Sequence, residues 1–270
     1  MDQKVALVTG GTRGIGLGIS TVLASQGYSL ILGYNSNHDA AKEAKAELES
    51  KFGVRVIAVS GDISVPATLI ALFQAVKDHF DSHLTAFIHN AGLYVGITTT
   101  SAEAPARLEP DEPWVDRVYD YYQKVYPRAF RKGLELALQC KGLKHVIAIS
   151  SPGCNCNQAA MPGYEEPGQA KASMEFLVRV FAKKLAKDGI NVNCIIPGFI
   201  RTGAWENVFK GKEGMRSAVE ERVLRDTPAQ RWAEPTEIGE VAAFLCSDRA
   251  SFLTGVAIPV DGGLHLGKLQ

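Results

Sequence analysis

The 270-residue sequence predicts an α/β fold, a doubly wound, seven-stranded parallel sheet flanked by helices. Three observations predict it. Short apolar, β-branched runs alternate with longer helical stretches along the whole chain. Most of those runs are continuously apolar, as strands covered on both faces must be. A glycine-rich turn also joins the first run to the first helical stretch, where doubly wound sheets open their ligand cleft.

The elements follow in order. Val5–Val8 is the first strand candidate, and Ile15–Gln26 the first helix. Ser29–Leu32 and Val54–Val59 are the next strands, separated by the helix Asp39–Lys51. Pro66–Phe80 opens on a proline, a natural first helical residue. The strand Ala86–His89 precedes a long middle helix, Glu112–Leu138. His145–Ile149, the helix Gln169–Lys187, Asn191–Ile196, the helix Thr236–Leu245 and the strand Val256–Val260 complete the alternation. Right-handed crossovers put the cleft at the carboxyl ends of the strands, near the switch point after the first one. No repeat or linker divides the chain, so one domain over residues 1–270 is expected.

Bulk composition narrows the function. Twenty-nine basic and 29 acidic residues cancel, which gives no cause to expect a nucleic-acid or membrane-surface partner. No apolar run approaches the ~20 residues that span a bilayer, and Met1-Asp2-Gln3-Lys4 runs into a strand without a signal-peptide core. Five cysteines show no metal-site spacing, and Cys154 and Cys156 read as reduced thiols. A cytoplasmic setting and no metal are expected.

The informative residues begin at Thr9-Gly10-Gly11-Thr12-Arg13-Gly14-Ile15-Gly16. A pyrophosphate needs close backbone approach and free N–H groups, which small residues and a helix N-terminus supply together. Gly10 permits the tight turn, Gly14 leaves room for phosphates, and Gly16 lets helix and strand pack closely. The second strand ends in Gly33-Tyr34-Asn35-Ser36-Asn37, with no carboxylate to take both ribose hydroxyls or repel a 2′-phosphate. Arg13 can offer that phosphate a guanidinium, so NADP(H) is favoured over NAD.

The spacing Thr-Gly-x-x-x-Gly-x-Gly resembles the short-chain dehydrogenase/reductase family, a group with Rossmann folds. Later landmarks agree in order: Asp62-Ile63, Asn90-Ala91-Gly92, Ser150-Ser151, Pro197-Gly198-Phe199-Ile200-Arg201-Thr202 and Asp261-Gly262-Gly263. The resemblance implies a cofactor site of Gly10, Thr12, Arg13, Gly14, Ile15, Gly16, Tyr34, Asn35, Ser36, Asp62, Ile63, Asn90, Ala91, Gly92, Lys171, Pro197, Gly198, Ile200 and Thr202. It also implies a substrate-covering segment, Gly203–Asp226, and a homo-oligomer, dimer or tetramer, built through helices such as Glu112–Leu138 and Gln169–Lys187.

The catalytic end departs from the family. Typical members pair a Tyr with a Lys four residues later on one helix face, and the cation stabilises the phenolate. Lys171 matches the Lys, but Pro167 stands where the Tyr belongs. Tyr164 lies 13 residues after Ser151, a familiar distance, yet seven before Lys171 with Pro167-Gly168 between. Either three residues are inserted between a working Tyr and Lys, or the phenol is lost. The sequence favours loss, because Pro167 reads as a helix start. The family's helix Asn is missing too, its place falling near Tyr121 or Tyr122.

At these positions the chain is similar to a fungal branch of the family, the bifunctional reductase/Diels–Alderases of prenylated indole alkaloid biosynthesis, of the malbrancheamide and paraherquamide type. That branch carries an acid before Pro-Gly, as Glu166-Pro167-Gly168 does here, though with Asp in place of Glu166. The resemblance further implies a role for Arg131. It points to reduction of an iminium, which accepts hydride without an acid and needs an anion such as Glu166 nearby. A following intramolecular Diels–Alder closure would need shape more than proton transfer. Catalytic candidates are therefore Glu166, Arg131, Tyr164 and Ser151. A bulky polycyclic substrate suits Tyr94, Trp114, Tyr122, Met161, Phe199, Trp205 and Phe209. Two rivals stand beside this reading: an ordinary carbonyl or enoyl reductase that uses Tyr164, and a non-catalytic NADP-binding sensor.

Overall fold

The seven strands pair in parallel in the order β3-β2-β1-β4-β5-β6-β7. The computed structural model describes residues 4–92, 119–155, 158–160, 164–209 and 213–267. The strands are β1 (Val5–Thr9), β2 (Ser29–Tyr34), β3 (Val56–Ser60), β4 (Ala86–His89), β5 (His145–Ile149), β6 (Asn191–Pro197) and β7 (Ala257–Val260). β1 has β2 on one side, with Val5 opposite Ser29, and β4 on the other, with Ala6 opposite Ala86. The switch point therefore lies between β1 and β4, as the alternation predicts.

Side chains alternate across the pleat, so each strand feeds two cores. Val5, Leu7, Phe87, Val146 and Val192 face one layer of helices. That layer holds α3 (Pro66–Phe80), a π turn (Lys124–Arg128) running into α4 (Ala129–Ala137), and α5 (Glu165–Leu185). Ala6, Val8, Ile88, Ile147 and Ile195 face the other layer, formed by α1 (Gly14–Ser25), α2 (His38–Phe52) and α8 (Pro235–Leu245). Between β6 and α8 lie α6 (Gly203–Phe209) and α7 (Glu213–Asp226), over the expected substrate-covering segment.

Two departures bear on the site. The middle helix carries a π turn at Pro127 where the sequence suggests unbroken α-helix. The Ala129 N–H bonds to the carbonyls of Lys124 and Tyr126, which leaves the Val125 carbonyl for another donor. The second departure is at α5, which starts at Glu165, ahead of both Gln169 and Pro167. Pro167 is the third helical residue, where the backbone N–H has no intrahelical acceptor anyway. The Gly168 N–H then bonds to the Tyr164 carbonyl at 2.8 Å, so the helix runs unbroken through Pro-Gly. Residues 112–118 of the expected middle helix lie outside the described residues.

α1 crosses α8 at two glycines. A Cβ at Gly18 would run into the Pro235 carbonyl, and one at Gly239 would meet the Gly18 carbonyl oxygen at 2.5 Å. Because both neighbours are backbone, neither can swing aside. Gly18→Ala is expected to cost about 1–3 kcal/mol of overpacking, read as a fall of several degrees in the thermal midpoint. An unchanged midpoint would mean that the crossing can open freely.

Candidate active site

The glycine loop is built as a cradle. Gly10 and Gly14 take the left-handed conformation, at φ 66° and 53°. A Cβ on Gly16 would strike the Gly10 carbonyl. Above Gly14 the nearest side-chain atom is the Thr202 methyl, 3.4 Å from where a Cβ would sit, so the structure brings Thr202 to the loop. α1 begins at Gly14 with no side chain capping its first N–H groups. Thr12 is buried beneath, Ile15 packs partly buried on the α1 core, and Arg13 is exposed in extended backbone. Ser20, one polar residue on the buried face of α1, lies 3.0 Å and 2.8 Å from the carbonyls of Gly11 and Gly16 and braces the turn. Free N–H groups, room for phosphates and an exposed guanidinium together fit a phosphate-bearing dinucleotide.

The other expected cofactor residues border the same strand ends. Tyr34 closes β2, and Asn35 and Ser36 are exposed beyond it. The cap of α2 is Asn37, which accepts from the Ala40 N–H at 3.0 Å and leaves Asn35 and Ser36 free of that role. Asp62 accepts from the Ser64 N–H at 2.8 Å, turning the chain after β3, and Ile63 packs on the core. Pro197 ends β6, Ile200 is buried, and a Cβ on Gly198 would meet the Asp261 Cα at 2.6 Å.

Asn90 and Ala91 are held by Thr9, whose Oγ1 accepts from their N–H groups at 3.0 Å and 2.9 Å. The Asn90 side chain donates back to the carbonyls of Thr9 and Gly10 at 3.0 Å and 3.2 Å. His89 extends this hub: Nε2 donates to the freed Val125 carbonyl at 2.9 Å, and Nδ1 faces Thr9 Oγ1 at 3.4 Å. The carbonyl fixes the proton on Nε2 and makes Nδ1 the acceptor. Gly92 lies against Tyr126; a Cβ there would be 2.6 Å from its hydroxyl.

The catalytic candidates do not all converge. Tyr164 Oη donates to Ser151 Oγ at 2.9 Å, so Ser151 has a phenolic partner. Tyr164 immediately precedes α5 and Lys171 stands on it, seven residues on. Seven residues fall about 20° short of two full turns, so both share one helix face. The reading of Pro167 as the helix start, from which loss of the phenol is inferred, does not hold for this backbone. Glu165 is exposed and Glu166 half-buried in the first turn of α5.

Arg131 does not join them. α4 turns Phe130, Gly133, Leu134 and Ala137 inward, leaving Arg131 on its exposed face, 3.0 Å from Glu135. Tyr122 is likewise no pocket wall: it is fully buried and stacks on Tyr126 at 5.8 Å. Phe199, Trp205 and Phe209 do gather, with Trp232, into an aromatic cluster at the start of the covering segment. Tyr94, Trp114 and Met161 lie outside the described residues.

Sequence reasoning missed Tyr126 and Glu175. Lys171 is buried, donates to the carbonyls of Ile149 and Ser150 at 3.2 Å and 3.1 Å, and lies 4.7 Å from the centre of the Tyr126 ring. Burial pushes its pKa down. Glu175, one turn further, is buried and accepts from Ser150 Oγ. A charged residue on the apolar face of a helix is the signal that could have found Glu175; Pro127 within a helical pattern was the hint for Tyr126.

Among the described residues no cluster of His, Cys, Asp and Glu could hold a metal, and no helix is long and apolar enough to cross a membrane.

The family model described as Enoyl-(Acyl carrier protein) reductase matches residues 10–265. A hydroxynaphthalene reductase-like protein, Arp2, of Metarhizium anisopliae is 32% identical over 267 residues, covering 96% of this chain and 94% of that protein. L-sorbose reductase of Gluconobacter frateurii, solved with NADPH and L-sorbose, superposes with a TM-score of 0.81 at 29% identity, covering 98% of this chain and 97% of that one. The angucycline C-6 ketoreductase LanV, solved with bound NADP, gives a TM-score of 0.82 at 27% identity, covering 98% and 96%.

The hub makes a pH prediction. Burial lowers the His89 pKa from 6.5 to about 4. Between those values the unfolded chain binds a proton that the folded chain does not, so stability falls as pH drops from 6.5 towards 4. His145, also lowered to about 4 by burial, acts in the same sense. His89→Gln is expected to reduce the stability lost between pH 7 and pH 4 by roughly 3 kcal/mol, measured by urea unfolding. Equal acid sensitivity in both proteins would count against a neutral buried His89.

Proposed function

The chain belongs to the short-chain dehydrogenase/reductase family, and on that premise we propose that it is an NADPH-dependent carbonyl reductase in which Tyr164 supplies the proton. The observation that carries this reading is the 2.9 Å hydrogen bond from Tyr164 Oη to Ser151 Oγ. Two hydroxyls at that separation can both turn to donate to one carbonyl oxygen placed between them. Ser151 then holds the oxygen, and Tyr164 transfers its proton to it as negative charge develops there.

The dinucleotide supplies the hydride, held by the glycine loop and the Asn90-Ala91-Gly92 turn. Arg13 is the residue for a 2′-phosphate, since no carboxylate stands at Tyr34-Asn35-Ser36. Lys171 sits on the same face of α5 as Tyr164, where its charge favours the phenolate left after proton transfer. Relatives named for naphthalene, angucycline and sorbose reduction support a ketone substrate. The cluster of Phe199, Trp205, Phe209 and Trp232 favours a bulky polycyclic one.

A second reading, reduction of a cationic iminium, is favoured by half-buried Glu166, two residues beyond Tyr164 in the first turn of α5. There the carboxylate holds the substrate cation, no proton donor is required, and a Diels–Alder closure of the product belongs to that reading alone. Arg131, exposed and paired with Glu135, plays no part in either.

Tyr164→Phe separates the two. Ketone reduction is expected to fall by about 10²–10⁴ with NADPH affinity unchanged, both followed by nicotinamide absorbance and fluorescence. Full turnover in that variant, with loss in Glu166→Gln, would replace the first reading by the second. A wild-type protein that binds NADPH yet reduces neither class would be a sensor. For the cofactor, Arg13→Ala is expected to weaken NADPH by about tenfold or more and NADH little; matching losses would remove Arg13 from the phosphate.

A further inference from the structure

Beside Lys171 lies a buried side chain, Glu175, that the proton transfer does not use. Lys171 and Glu175 stand one turn apart on α5, 7% and 6% exposed. Glu175 Oε1 accepts from Ser150 Oγ, and Oε2 from Asn155 Nδ2 at 3.1 Å. Ser150 follows β5, and Asn155 lies in the loop beyond. The ammonium of Lys171 is itself fixed on the Ile149 and Ser150 carbonyls and covered by the Tyr126 ring.

A buried ammonium is costly unless an opposite charge accompanies it. The titratable groups around Lys171 come from every neighbouring element. They are Cys154 in the loop after β5, Cys194 on β6, His89 on β4, Tyr126 of the π turn with Tyr164 against it, and Glu175 on α5 itself. Burial pushes both thiols and the Tyr126 phenol up and His89 down, so these are neutral near pH 7. Among these groups the carboxylate of Glu175 is the counter-charge.

We propose that Glu175 is the positioning residue of Lys171: its carboxylate balances the buried ammonium and, through Ser150 and Asn155, ties α5 to the loop that begins at Ser151. The same side chain thus sets the charge at Lys171 and the place of Ser151. That this ammonium serves a nicotinamide ribose and the Tyr164 phenolate rests on the reductase reading; that Glu175 holds it does not.

The test uses the ligand-free full chain. In lysine-labelled protein, the Lys171 Cε signal, assigned by its loss in Lys171→Arg, reports the titration of the ammonium. Glu175→Gln is expected to lower that midpoint by about one pH unit or more, whereas a purely steric role would leave it in place. An unmoved midpoint overturns the proposal. If Glu175→Gln does not fold, Lys171→Met is added to it. Recovery of folding by the double variant supports a charge pair, and failure to recover overturns it. Neither result depends on turnover, so this proposal and the reductase reading can fail separately.

Discussion

An α-helix leaves its first four N–H groups without acceptors of its own, and the candidate site depends on that allowance. Pro167 occupies the third position of α5, where a missing N–H costs nothing, and the first intrahelical bond closes one residue later, from Gly168 to Tyr164. Because the helix begins before the proline, Tyr164 sits at its mouth instead of in a detached loop. One turn more or less would carry the phenol away from Ser151.

The strands reach the site through buried polar links. Thr9 joins the glycine loop to the Asn90 turn, His89 joins that turn to the π turn, and Glu175 joins β5 to α5. Each link spans elements far apart in sequence; those of His89 and Glu175 are buried and that of Thr9 part-buried, so breaking one leaves a partner poorly placed to find water instead. The cleft is held less by its loops than by these cross-ties. The π turn is part of the same design: by withdrawing Val125's carbonyl from its helix it makes the acceptor that His89 needs.

Much of this was legible in the sequence. The strand order's switch point and the glycine loop follow from local patterns read in chain order, whereas the Asn90 turn and Thr202 were singled out by the family resemblance, and only the fold shows Thr202 beside Gly14. The catalytic end was not, because two local signals conflict there. Proline in a helical run usually marks the first residue, and the sequence cannot show whether the two glutamates before it are already helical. Arg131 failed for a different reason. Its place rested on likeness to one branch of the family, while the periodicity of Phe130, Gly133, Leu134 and Ala137 already assigned it to the outer face. Glu175 was legible as an anomaly, a carboxylate among Met174 and Val178, but only the fold shows that Ser150 bonds to it and that Lys171 is buried one turn away.

The seven-residue spacing now sets the chemistry that the site can perform. With the Lys four residues after the Tyr, one turn brings phenol and ammonium side by side on one helix face. Seven residues keep the face but put about 10 Å of helix rise between the two backbone positions, a gap that the long side chains and the field of the Lys171 charge have to bridge. A field acts over that distance only where water is excluded, and Lys171 is buried beneath the ring of Tyr126. A phenol held farther from an ammonium keeps a higher pKa, so it is a weaker acid, and its phenolate a stronger base, than in a directly bonded pair.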